Sequence, residues 1–198
     1  MTAAVVASNN GELDEHVGYI ARQLKRSLEE GGVRQLAVKL VSSVYDFAHD
    51  PRSGEEVRVV RAWGKTFLAP PGGICPSRDD MCEIEKVWDF MVLNFRYVYD
   101  PTEYDTFATA KESMLAGGGD CDDATIAFAA LLGSIGFRVL GRVISEKSRP
   151  REWVHIYPMV GVPKDNPSQW IPLDMTVDGS TPGWEYPNIA RHKDYLLT

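Results

Sequence analysis

Three residues that together could transfer or cleave an acyl group are spread along the second half of this chain. The first is Cys121 in Gly117-Gly118-Gly119-Asp120-Cys121-Asp122-Asp123, where a glycine-rich turn delivers a thiol to the first turn of an apolar helical segment. Free amides and the positive end of the dipole at a helix start stabilise a thiolate, and glycine allows the backbone to approach closely. A nucleophilic thiol also needs a base for its proton and an acid to orient that base. His155 in Glu152-Trp153-Val154-His155-Ile156-Tyr157 and Asp174 in Trp170-Ile171-Pro172-Leu173-Asp174-Met175 supply those two types. Backbone amides at the helix start, including that of Cys121, are placed to hold the oxyanion of an acyl intermediate. Taken singly, each residue has a plainer reading: a small buried thiol, a strand histidine bonded to a carbonyl, a strand-end acid.

The elements around these residues are expected to position them. Cys121, Thr125, Phe128, Leu132 and Ile135 recur at helical spacing, which predicts a helix from Cys121 to Ile135, closed by Gly136, with the thiol heading the stripe that faces a sheet. Arg138 to Ile144, Glu152 to Tyr157 and Trp170 to Met175 read as strands joined by short connections, hence antiparallel. A period of two puts Trp153, His155 and Tyr157 on one face and Trp170, Asp174 and Thr176 on another, so pairing in register would set His155 beside Asp174 beneath Cys121.

Upstream, Leu13, Val17, Ile20, Leu24 and Leu28 predict an amphipathic helix capped by Asn9 or Asn10. Leu36, Leu40, Val41, Val44 and Phe47 predict a second, running to Asp50-Pro51. Glu55 to Leu68 contains a short strand or hairpin, and Ala69 to Gly73 a loop. A helix capped by Asp79 or Asp80 carries Ile84, Val87, Trp88, Met91, Val92 and Phe95, and Tyr97-Val98-Tyr99-Asp100-Pro101 ends it. Helices first, then one helix and three strands, make the class α+β. The divisions are a helical extension over residues 1–50, a core over 51–178 and a tail over 179–198.

Composition narrows the function classes. With 198 residues, 44% hydrophobic and 25% charged, the chain can bury one core. A net charge of -7 argues against nucleic acid and anionic membrane as partners, because both are bound through concentrated positive charge. No apolar run approaches the roughly 20 residues of a membrane span. The first ten residues lack a basic-then-apolar leader, so a cytoplasmic protein is expected. Cys75 and Cys82 lie close enough in sequence to pair or to share a metal, but they lack a second pair at zinc spacing and read as ordinary reduced thiols. Asp120, Asp122 and Asp123 lack the glycine and glutamate that complete a calcium loop, so no metal is expected, and no cofactor. The same three acids oppose ionisation of the thiol they surround.

Gly-Asp-Cys121-Asp-Asp with the following Ala-Thr-Ile-Ala-Phe-Ala-Ala-Leu-Leu-Gly-Ser-Ile-Gly-Phe, then Glu-Trp-Val-His155-Ile-Tyr, then Trp-Ile-Pro-Leu-Asp174, resembles the transglutaminase-like superfamily of papain-type cysteine enzymes. The likeness spans residues 79–178. Its nearest form is the compact transglutaminase-like proteins of tailed phages and prophages, through Tyr97 to Pro101 and Pro182-Gly183-Trp184. The resemblance implies a papain-like core in which a central cysteine helix packs on an antiparallel sheet. It implies a triad of Cys121 as nucleophile, His155 as base and then acid, and Asp174 as orienter. The implied activities are acyl transfer from glutamine side chains and peptide or amide hydrolysis, on a protein or peptide substrate. Phage structural proteins are implied partners, and the bacterial host cytoplasm or a virion the implied location. Trp153 and Trp170 are the candidates for the substrate groove or the oxyanion site. A fold retained as a non-catalytic virion or assembly component is the alternative reading.

Overall fold

A computed structural model of the chain describes residues 6–50, 52–98 and 106–198. The first helix, α1 (Asn10–Glu29), starts where the Asn9 side chain accepts the Glu12 amide, and it buries Leu13, Val17, Ile20 and Leu24. Leu28, on the same repeat, is exposed. α2 (Val33–Val41) follows, then β1 (Asp46–His49), β2 (Glu56–Ala62) and β3 (Lys65–Leu68), which form a three-stranded antiparallel sheet. α3 (Asp80–Asn94) begins at Asp79, whose side chain accepts the Cys82 amide.

The site is framed by what comes next. β4 (Arg96–Tyr97) pairs in parallel with β5 (Gly118–Gly119), and α4 (Ala110–Ala116) lies between them in sequence. α5 (Cys121–Ser134) is buried on nearly every side and packs against the four other helices and the main sheet. That sheet contains β6 (Val139–Glu146), β7 (His155–Val162), β8 (Gln169–Pro172) and β9 (Ile189–Leu196) in the antiparallel order β8-β7-β6-β9. The class is α+β. Helix burial all round explains why α5 carries alanine at four positions: neighbouring helices approach closely only over small side chains. Among the described residues no helix is long and apolar enough to cross a membrane.

Four expectations change. The second helix stops at Val41, where the Ser42 amide bonds Val38 O and Ser43 takes a left-handed φ of 50°. Val44 and Phe47 continue a helical period in sequence, but Phe47 sits on a strand and is 63% exposed. The predicted tail contains β9, which completes the main sheet along the free edge of β6. Helix α4 was not foreseen, although Thr109 and Glu112 form a reciprocal capping box. Cys75 and Cys82 are joined in a disulfide with Cα atoms 5.6 Å apart. Pro70 to Arg78 folds back along α3, held by the Cys75 amide on Val41 O, and that return path brings the two thiols together. Of the proposed helix-breaking segment, Tyr99, Asp100 and Pro101 lie outside the described residues.

Candidate active site

The start of α5 is built by its own acids. Asp120 Oδ1 accepts the amides of Asp122 (2.9 Å) and Asp123 (3.3 Å), so the cap leaves the Cys121 amide aside. The glycines before it are sterically required. A Cβ on Gly118 would lie 2.2 Å from Arg96 O, and one on Gly119 would lie 2.2 Å from Asp123 Oδ2. Cys121 is 8% exposed and packs with Val143 and Ile156. The backbone amide of Ile156 lies on the side of the thiol where it favours the ionised form. Burial pushes the thiol well above its ordinary pKa, with Asp122, Asp120 and Asp174 pushing the same way and the Ile156 amide opposing them.

His155 and Asp174 meet as expected. The strand register aligns Met159 with Pro172, so Asp174 lies just past the end of β8 and reaches His155 diagonally. His155 Nε2 lies 2.9 Å from Asp174 Oδ2. An ionised carboxylate only accepts, so Nε2 carries the proton and Nδ1 is left as the acceptor. Burial alone would raise the Asp174 pKa. The His155 bond and charge, with the Thr176 hydroxyl (2.7 Å) and amide (3.1 Å) on Oδ1, outweigh it and hold the carboxyl below its usual value. The Thr176 hydroxyl also lies 3.4 Å from Nε2.

The third contact is not made. Among the hydrogen bonds of the described residues, none joins the Cys121 sulfur to the His155 ring. The alternation of β7 explains it: Ile156 faces α5 and touches Cys121, whereas His155 shares the opposite face with Tyr157, their rings 5.7 Å apart. His155 is the first residue of its strand, so its ring lies at the sheet margin, beside a cavity of about 120 Å³ lined by Tyr97, Ile144, Glu146, Thr176 and Tyr186. Trp153 is buried beneath the Arg191 guanidinium, and its indole nitrogen has no hydrogen-bond partner among the described residues. Trp170 packs beside Ile144, Tyr157 and Met159. Neither tryptophan lines the cavity at His155.

Two of the acids beside the thiol, Asp122 and Asp123, are buried. Asp123 Oδ1 accepts the Ala108 amide at 2.9 Å, and Asp122 lies 2.9 Å from the His16 ring, with both of the latter side chains nearly inaccessible. Sequence reading missed Thr176 as a partner of Asp174, although a hydroxyl two residues after an acid is a recognisable turn pattern. His16 carried no signal, since it is one polar residue within an amphipathic helix. No known protein-family model matches the chain.

Proposed function

We propose that the chain is a transglutaminase-like cysteine enzyme, a peptidase, amidase or acyl transferase, working through a thioester on an amide of a protein or peptide. The observation that carries this reading is the His155–Asp174 pair, its acid buried and its imidazole half-buried and tautomerically fixed with Nδ1 left to accept, next to Ile156, which packs against Cys121. In the reaction, Nδ1 takes the thiol proton and the sulfur attacks the amide carbon, forming a C–S bond. The oxyanion is held by the Cys121 amide outside the cap. The imidazolium then protonates the departing nitrogen as the C–N bond breaks, leaving a thioester and a free amine. Water or a second amine, deprotonated by His155, attacks the thioester, and the sulfur leaves with its proton restored. Because His155 lies on the far face of β7 from Cys121, its ring has to swing round the start of the strand for Nδ1 to reach the thiol, and catalytic contacts often form only in the substrate complex.

The resemblance to phage proteins supports a phage-encoded enzyme acting on structural, host or cell-wall peptides. A specific observation favours the second reading, a non-catalytic virion or assembly module of the same papain-like fold: the thiol is nearly sealed and unbonded to the imidazole. An activated ester separates them. Treating the protein with p-nitrophenyl acetate should leave an acetyl group on Cys121 by mass spectrometry, much reduced in His155→Gln and released as hydroxamate by hydroxylamine. An unmodified Cys121, or equal acylation in both proteins, speaks for the binding module.

A further inference from the structure

His16 and Asp122 lie next to the nucleophile and have no part in the steps above. α1 crosses the start of α5, and His16 Nε2 stands 2.9 Å from Asp122 Oδ2, with side chains only 8% and 4% exposed; the approach lies off the ring's N–H direction, so it is a charge contact and not a hydrogen bond. The other carboxylate oxygen, Oδ1, lies 3.9 Å from the Cys121 sulfur. One carboxylate thus touches both an imidazole and the thiol. Phe107 packs edge-on to the His16 ring at 5.0 Å and fixes its plane.

We propose that His16 is a positioning residue for the nucleophile, holding the Asp122 carboxylate and supplying its counter-charge so that Cys121 can ionise when His155 takes its proton. The inference rests on the reading of Cys121 as nucleophile. A thiolate 3.9 Å from an uncompensated carboxylate in a low-dielectric site is strongly opposed. The titratable and charged groups around this cluster are Glu12, Glu15 and Tyr19 of α1 beside His16, with Arg22 over the Tyr19 ring, Asp120 and Asp123 at the start of α5, Tyr97 and Tyr195 packed on the same apolar cluster, and Asp174 from the sheet side, with His155 beyond it on the far face of β7. Of these groups, Arg22 lies over the exposed Tyr19 ring, and the imidazoles are the other two that can carry positive charge. His155 serves the proton transfer, so the charge of Asp122 falls to His16. Buried acids are tolerated when paired, and an unpaired one beside a thiol would defeat the helix start that activates it.

The test measures the pH dependence of iodoacetamide modification of Cys121, the free cysteine, in the full chain. The proteins are wild type, His16→Gln, Asp122→Asn and the double variant, each with a thermal melt. His16→Gln should move the midpoint up by about one pH unit, a roughly tenfold slower reaction at pH 7. Asp122→Asn should move it down. In the Asp122→Asn background, His16→Gln should change the rate less than about twofold, since the charge it offsets is gone. If the pair only fastens α1 to α5, the melting temperature falls while the midpoint stays, or His16→Gln shifts the midpoint equally in both backgrounds; either result overturns the proposal. Should His16→Gln fail to fold, Asp122→Asn decides alone, and a midpoint that stays or rises overturns it. Failure of the catalytic reading shows separately, as equal reactivity of wild type and His155→Gln, while the His16–Asp122 cycle is still read from the midpoints.

Discussion

At the scale of residues, the site sets one favourable pair against one unfavourable environment. His155 and Asp174 were legible as a pair because strand alternation constrains which side chains meet, and they meet at 2.9 Å. The burial of Asp122 and Asp123 was not legible, because aspartate at a helix start ordinarily caps in solvent, whereas α1 and residues 106–109 cover this one. The state of Asp174 gives a pH prediction. Its folded pKa is depressed, so its stabilising contribution is complete above the unfolded value of about 4 and is lost as pH falls through the lower folded value. Asp174→Asn should cost about 1–3 kcal/mol at pH 7, as expected for a hydrogen bond to a charged group. Urea titrations between pH 7 and pH 2 should show wild type losing that advantage below about pH 4. An equal cost at every pH would mean that the carboxylate charge contributes nothing.

Among elements, periodicity located α1, α3 and α5, because each buries a contiguous apolar face, and it found the two strands near His155 and Asp174 with shifted bounds: β7 starts at His155 and runs on to Val162, and β8 ends at Pro172, before Asp174. It failed for Val44 and Phe47, where an apolar period continues into an exposed strand, and for β9, whose Arg191, His192, Lys193 and Asp194 give no apolar alternation. A sheet edge strand with one wet face leaves a weak pattern. The Cys75–Cys82 link was also beyond sequence reading, since a separation of seven residues permits a bond without requiring one. It pins the Pro70–Arg78 loop to the first turn of α3. Denatured without reductant, the protein should titrate one thiol, and three after reduction; three from the outset would contradict the bond. Replacing both cysteines by serine should lower stability by about 2 kcal/mol, the loop entropy released to the unfolded chain.

For the whole molecule, the site has no single owner. α5 brings the thiol, the start of β7 the imidazole, the segment after β8 the acid, and α1 the partner of Asp122. Residues 1–50 and 179–198, read from sequence as an extension and a tail, contribute α1 to the surroundings of Cys121 and β9 to the sheet. The disulfide also bears on the cytoplasmic expectation and weighs against it, because such bonds persist in oxidising surroundings and are rare in a reducing cytoplasm. On the proposed reading His155 can serve Cys121 only while the fold holds α5 against β7, so the reactivity of Cys121 should depend on His155 only in the folded chain. The decisive measurement is the rate of iodoacetamide modification at pH 7 for wild type and His155→Gln, each folded and in denaturing urea. The account predicts that folded wild type reacts at least about tenfold faster than folded His155→Gln, in line with the contribution of a positioned base, and that the difference vanishes in urea. Equal rates in the folded proteins would contradict it.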